Sequence, residues 1–291
     1  MTRGEHYFLG GFNCFKLNSR IFLLLSFFIS VSLFSIWLDR IERHFYGVKP
    51  GVSMDGKDLT GLLPREVTLT VQDLAIRHER LPREAALDKE TGEVIEDQDG
   101  VLINVESSIE KIMAAQPNQS LRLDKLPVHA RHRSADITKA DKTLAYYDTW
   151  MMGTYERYSN ISLAAASINN TLVWPGQVFS FNEIVGPRTP ERGYQPAPII
   201  LLGTTDLDYG GGVCQVASTI YNAAMKAGIK ITERHQHTKT VGYVPKGKDA
   251  SVSYDDLDLK FTNNYQGPLI IKSGTSRGRI WVEIKGEGRL N

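Results

Sequence analysis

Gly210-Gly211-Gly212-Val213-Cys214-Gln215-Val216-Ala217-Ser218-Thr219-Ile220-Tyr221-Asn222-Ala223-Ala224-Met225-Lys226-Ala227-Gly228 is the stretch that decides how this chain is read. Val216, Ile220, Ala223 and Ala227 recur at the spacing of one helix face, so the segment predicts a helix that buries that face. Gly228 suits the left-handed position that follows a helix C-terminus. The helix therefore begins just after three glycines and holds Cys214 in its first turn. There, unpaired backbone N–H groups and the positive end of the helix dipole favour a thiolate. Gly211 and Gly212 are expected to adopt unusual backbone angles and to let a substrate approach the sulfur closely. Gln215 is a candidate donor to a developing oxyanion, set against the plainer reading of a solvent-facing helical glutamine.

Downstream, Ile229 to Arg234 reads as a strand leading into His235-Gln236-His237. Residues two apart on a strand share a face, so both imidazoles are expected to face one site. A helix and a returning strand are enough chain to bring a histidine to Cys214, and a thiolate nucleophile needs such a base together with a group that orients it. Asp249 and Asp258 are the candidate orienting carboxylates. Arg234 reads as an ion-pair partner. The order of helix-start cysteine, strand histidine and acid is that of papain-like and transglutaminase-like thiol enzymes, by analogy of arrangement only.

Two other readings of the same residues stay open. Cys214, His235 and His237 supply three zinc ligands with an open fourth position, whereas the nucleophile reading needs no cofactor. Free cysteine is also among the most buried residue types, so the thiol could simply pack against the core.

The 291 residues include 34 Lys and Arg against 33 Asp and Glu, which leaves no broad basic field to draw the chain to nucleic acid. Ile21 to Leu38 is an uncharged run whose polar interruptions are four serines. As a helix it would measure about 27 Å, enough to cross a hydrocarbon core. It passes into Asp39-Arg40 with no small-x-small cleavage site, so it is expected to remain as a single-pass signal anchor at 21–38, behind a short cytoplasmic tail at 1–20. Arg3, Lys16 and Arg20 before the span are matched by Arg40, Arg43 and Lys49 after it, and flanking charge leaves the orientation undecided. A short tail inside and a large domain outside is the usual outcome. Cys14 and Cys214, the two cysteines, would then lie on opposite sides of the membrane, leaving Cys214 a free thiol in an oxidising compartment.

Between anchor and core, residues 48–133 read as a small module. A Gly- and Asp-rich strand and turn opens it, an amphipathic helix carries Val105, Ile109, Ile112 and Met113 on one face until Pro117, and an alternating strand runs from Leu121 to Val128. His129 to Ser134 reads as an exposed linker, which sets a boundary near 134. Beyond it, Leu144, Tyr147, Trp150 and Met151 suggest a helical face, and Ile161 to Ile168 an Ala-rich helix. Val178 to Phe181, Leu257/Leu259/Phe261 and Ile280/Val282/Ile284 alternate as half-buried strands. The class is α+β, with helices followed by a mainly antiparallel sheet.

The motifs resemble the VanW family. The likeness runs through Asn160-Ile161, Pro175-Gly176, Phe179-Ser180-Phe181-Asn182, Gly186-Pro187-Arg188-Thr189 and Gly193-Tyr194 to the glycines and Cys214. It continues through Glu233-Arg234-His235, Tyr243-Val244-Pro245, Asp249-Ala250 and Asp258-Leu259-Lys260-Phe261. Thr238 and Ala217 stand where the family favours serine. The resemblance implies a VanW domain over 134–291, an extracytoplasmic setting at the cell membrane, peptidoglycan or a related wall polymer as partner, and a link to glycopeptide resistance. Residues 48–133 are similar to the peptidoglycan-binding domain that often precedes such domains. On these grounds the expected activity is acyl transfer of amidase or transpeptidase type, by Cys214 with His237 or His235 as base and Asp249 orienting it. Asn182 and Arg188 would line the site, Arg188 gripping a substrate carboxylate or serving as a structural ion pair. A non-catalytic envelope-binding protein is the rival class.

Overall fold

The computed structural model describes residues 19–201 and 204–288. The first part of the chain forms α1 (Ser19–Tyr46), β1 (Ser53–Met54), β2 (Lys57–Asp58), α2 (Pro64–His78), β3 (Ala86–Leu87) and β4 (Val94–Ile95). Next come β5 (Gly100–Ile103), α3 (Val105–Ala114), β6 (Ser120–Leu121), β7 (Lys125–Val128) and α4 (Ser134–Lys139). Then follow β8 (Lys142–Trp150), α5 (Tyr155–Ile168), β9 (Thr171–Val173), β10 (Val178–Ser180), α6 (Phe181–Val185), β11 (Pro196–Leu201) and β12 (Thr204–Tyr209). The last elements are α7 (Val213–Lys226), β13 (Lys230–Glu233), β14 (Lys260–Thr262), β15 (Leu269–Ser276) and β16 (Arg279–Gly286). The class is α+β, as expected.

Two compact units emerge, Met1–Arg80 with Val101–Pro127, and Leu81–Gly100 with Val128–Asn291. The expected single boundary near 134 becomes a double crossing. Its cause is the β3–β4 hairpin, whose Leu87 and Val94 pack on a small core of Ala85, Ile137, Trp174 and Ile270 in the second unit. The segment 129–134 is likewise no free linker, since His132 stacks on Trp174 at 4.1 Å and Arg133 bonds Asp97 and Asp99.

In the first unit, Leu23–Tyr46 of α1 is long and apolar enough to cross a membrane, and 0% of that window is buried. Ser26, Ser30, Ser32 and Ser35 each donate a hydroxyl hydrogen bond to a carbonyl one turn back, so these polar interruptions need no water. The tail with Arg3, Cys14 and Lys16 lies outside the described residues. Asp55 and Gly56, both at positive φ, turn β1 into β2, the geometry that an Asp-Gly pair favours. Helix α2 starts with Pro64 and a Glu66 carboxylate that accepts the Leu63 N–H, and α3 starts with Asn104 accepting the Ser107 N–H. Val67, Val71 and Ala75 of α2 meet Ile112 of α3 in this unit's core.

The second unit is built on an antiparallel sheet of order β8-β16-β15-β9. Along β16 burial alternates strictly, with Ile280, Val282 and Ile284 inward. Against this sheet lie α5, through Ile161, Ala165 and Ile168, and α7, through Val216, Ile220 and Ala223. Burying each isoleucine stabilises by about 1.5–3 kcal/mol. A second sheet, β10-β14-β13, adds Phe179 stacked on Phe261 at 4.4 Å.

One element departs from expectation. Leu144, Tyr147, Trp150 and Met151 lie on or beside strand β8, not on a helix. Ala145↔Ile284 is followed by Thr143↔Lys285 in the pairing, so Leu144 is the extra residue of a β-bulge. The bulge breaks the two-residue alternation, which lets a strand mimic helical spacing.

Candidate active site

Helix α7 holds Cys214 at its second position. Gly212, at φ +106°, caps it without a side chain, and Val213 and Gln215 donate their N–H groups to Gly210 O and Gly212 O. The N–H of Cys214, between them, belongs to the first turn, where no carbonyl one turn back within the helix can accept it. The thiol is half-buried and free. Its sulfur lies 3.4 Å from Val252 O and 3.5 Å from Val252 N.

The chain after α7 supplies the partners. The His237 side chain lies within electrostatic reach of the Cys214 sulfur. Its Nδ1 lies 2.7 Å from Asp249 Oδ2, which leaves Nε2 as the ring nitrogen available to the sulfur. The same carboxylate oxygen accepts the His237 backbone N–H at 2.7 Å. Asp249 is anchored in turn by Arg234, which donates to its carbonyl and to Oδ1. Ser218 and Asn222, one and two turns along α7, bond Ala250 N and Lys248 O and so fix the acid's loop to the helix that carries the sulfur.

These contacts set the protonation states. Burial of the sulfur favours the neutral thiol, but the His237 imidazole and its charge, the Val252 N–H and the Arg188 guanidinium outweigh it, and the Cys214 pKa falls below the ordinary value. Burial likewise disfavours charged His237, yet its interactions with Cys214 and Asp249 raise its pKa. Asp249 is held low despite burial by the His237 N–H and imidazole. The three shifts together favour a thiolate–imidazolium pair oriented by a carboxylate.

Of the residues the sequence offered, the structure brings Cys214, His237 and Asp249 together and places several others elsewhere. His235 does not share the face of His237. The strand ends at Glu233, alternation lapses, and His235 Nε2 turns to Glu233 Oε1 at 3.0 Å. Cys214, His235 and His237 therefore do not converge as ligands, and no group of three His, Cys, Asp or Glu among the described residues has metal-holding geometry. Asp258 caps α6 instead, accepting from Ser180 Oγ and the Asn182 N–H.

Gln215 is neither a solvent-facing residue nor an oxyanion donor. It is 1% exposed, its amide donates to Thr149 Oγ1 and Trp150 O, and its carbonyl accepts from Arg157. Gly211 and Gly212 give room to the protein's own backbone and side chains, not to substrate. A Cβ on Gly211 would lie 2.6 Å from Ala197 O, and one on Gly212 would lie 2.8 Å from Ile161 Cγ1. Asn182 is buried, donates to Ser253 O and Leu257 O, and accepts from Arg188 Nη2 at 2.7 Å. It positions Arg188.

Arg157 and Tyr243 were missed. Each lies within electrostatic reach of Cys214, and burial, then the cysteine's negative charge, pushes the Tyr243 hydroxyl well above the ordinary phenol value. Their sequence surroundings, Tyr155-Glu156-Arg157 and Gly242-Tyr243-Val244, carry no signal of this role. Only tertiary packing brings them there.

Fold and site together define an α+β protein with a free thiol at the start of a core helix, paired to histidine and aspartate. Residues 156–285 match the family described as VanW like protein, so over that stretch the chain is similar to VanW-like proteins. It is 40% identical over 157 residues to protein YoaR of Bacillus subtilis, covering 51% of this chain and 52% of that one. It is 29% identical over 110 residues to the vancomycin B-type resistance protein VanW of Enterococcus faecalis, covering 36% of this chain and 40% of that one. The chain spans about half the length, or less, of these curated relatives. No solved structure matches it.

Proposed function

We propose that the chain is an extracytoplasmic, membrane-anchored thiol acyltransferase acting on peptidoglycan or a related wall polymer. The observation that carries this reading is the Cys214–His237–Asp249 grouping, with the imidazole within electrostatic reach of the sulfur and its Nδ1 held 2.7 Å from the acid.

In this mechanism the Cys214 thiolate attacks an amide or ester carbonyl carbon. A C–S bond forms, and the carbonyl π electrons move to oxygen, where the Cys214 N–H donates to them. Collapse expels the amine or alcohol, which takes its proton from His237 Nε2 and leaves a thioester. Water or an acceptor amine then gives its proton to His237 and displaces the thiolate, giving hydrolysis or transpeptidation. Asp249 keeps Nδ1 protonated and stabilises the imidazolium throughout.

The wall assignment rests on the family and on the resistance named for the enterococcal relative. Helix α1 serves as the anchor, and the first unit as a wall-binding module. The test incubates the full-length chain in detergent micelles with purified muropeptides and follows the products by mass spectrometry. New cleaved or cross-linked peptides that vanish with Cys214→Ser support acyl transfer. Wall binding with no product, unchanged by that substitution, would return the chain to the class of envelope-binding scaffolds.

A further inference from the structure

Beside the relay, two buried donors lack partners. Among the described residues, Arg188 Nη1 and Tyr194 Oη are buried with no hydrogen-bond acceptor. Native interiors seldom leave such groups unanswered, and those that do invite a reason. Both atoms belong to side chains that are otherwise held. Arg188 Nη2 donates to Asn182 Oδ1, and its guanidinium carbon lies 5.8 Å from the ring centroids of Phe181 and of Tyr254. Its aliphatic stem fills the space that Gly210 leaves open, since a Cβ there would come 2.8 Å from Arg188 Cγ. Tyr194 is 4% exposed. The two side chains lie within electrostatic reach of each other, and Arg188 within reach of the Cys214 sulfur.

A fixed guanidinium within reach of the nucleophile, with a fixed phenol in turn within reach of that guanidinium, suits a ligand that brings two acceptor oxygens and a negative charge. A carboxylate has this form, with one oxygen for Nη1 and the other for the Tyr194 hydroxyl. We propose that Arg188 and Tyr194 form a carboxylate subsite, and that the substrate is a peptide bearing a free carboxylate close to the carbonyl that Cys214 attacks. This rests on the proposed acyl-transfer function and narrows its substrate to a peptide terminus or an acidic residue flanking the reacting bond.

The experiment compares alkylation of Cys214 by iodoacetate, which carries a carboxylate, and by neutral iodoacetamide. It uses the full-length chain with Cys14→Ser, each rate being referred to the same reagent with free glutathione. The preference for iodoacetate over iodoacetamide should exceed that of glutathione by about tenfold. It should fall toward the glutathione ratio in Arg188→Met and in the isosteric, charge-conserving Tyr194→Phe. An unchanged ratio in both variants, with iodoacetamide still reacting rapidly near neutral pH, would overturn the subsite and leave the thiolate intact. A fall in Arg188→Met alone would reduce the effect to bare charge and also overturn the two-donor subsite. Slow iodoacetamide reaction at neutral pH would instead remove the nucleophile itself, and the subsite with it.

Discussion

His237 presents two N–H groups to one carboxylate oxygen of Asp249, its backbone N–H and its Nδ1, each at 2.7 Å. This double contact fixes both the ring's tautomer and its orientation, so Nε2 is left for the sulfur of Cys214. A single acid thereby turns a half-buried cysteine into the partner of a directed base.

The first consequence concerns pH. The Cys214 pKa is lowered and that of His237 raised, so the thiolate–imidazolium pair exists between the two values. The rate of iodoacetamide alkylation should hold near neutral pH and fall as pH drops through the lowered cysteine value. In His237→Ala the opposing effect of burial prevails, and the midpoint should move above that of a free thiol, about 8.5. Identical midpoints in the two proteins would remove the pairing.

Asp249 should matter to stability as well as to reactivity. Its pKa is depressed in the fold, so its stabilising contribution is present above the unfolded carboxylate value and is lost as pH falls through the folded one. Asp249→Ala leaves both His237 N–H groups unanswered and removes the carboxylate that faces the Arg234 guanidinium, at a cost on the order of 3 kcal/mol. Chemical denaturation followed by a probe in the second unit should show this loss at pH 7 and a smaller one near pH 3. A constant difference across that range would contradict the linkage.

Gly211 is predicted to be structural. The 2.6 Å approach of an added Cβ to Ala197 O demands a backbone shift, so Gly211→Ala should destabilise the second unit by about 1–3 kcal/mol. A variant as stable as the parent but poor in substrate binding would restore the glycine to the substrate's side of the site.

His235 pairs with Glu233 and not with the sulfur. His235→Ala should therefore leave the pH midpoint of Cys214 alkylation where it is in the parent, whereas His237→Ala moves it. Zinc that binds stoichiometrically in equilibrium dialysis and is lost with His235→Ala would revive the three-ligand arrangement.

Much of this site was legible because it depends on local rules. The apolar spacing from Val216 to Ala227 located a helix, its start located the thiol, and the downstream chain offered two histidines and two aspartates as partners, a choice that sequence left open. Elements governed by long-range pairing were not legible. The β-bulge at Leu144 disguised an edge strand as a helix, and the β3–β4 hairpin joined a unit far along the chain because Leu87 and Val94 cover Trp174. Side-chain direction failed where backbone regularity ended, as at His235, two residues past the end of β13. The inward turn of Gln215 follows from burial of the first turn of α7 against β8, with the amide bonding Thr149 and Trp150, which one-sided helix periodicity does not foretell.

The most direct test of the account is intact-mass analysis of the full-length chain after brief incubation with muropeptides and an acid quench. The account predicts an added acyl mass that maps to Cys214, accumulates in Asp249→Asn as deacylation slows, and is absent from Cys214→Ser. Products that form at the parent rate in Cys214→Ser, or an adduct on any other residue, would contradict it.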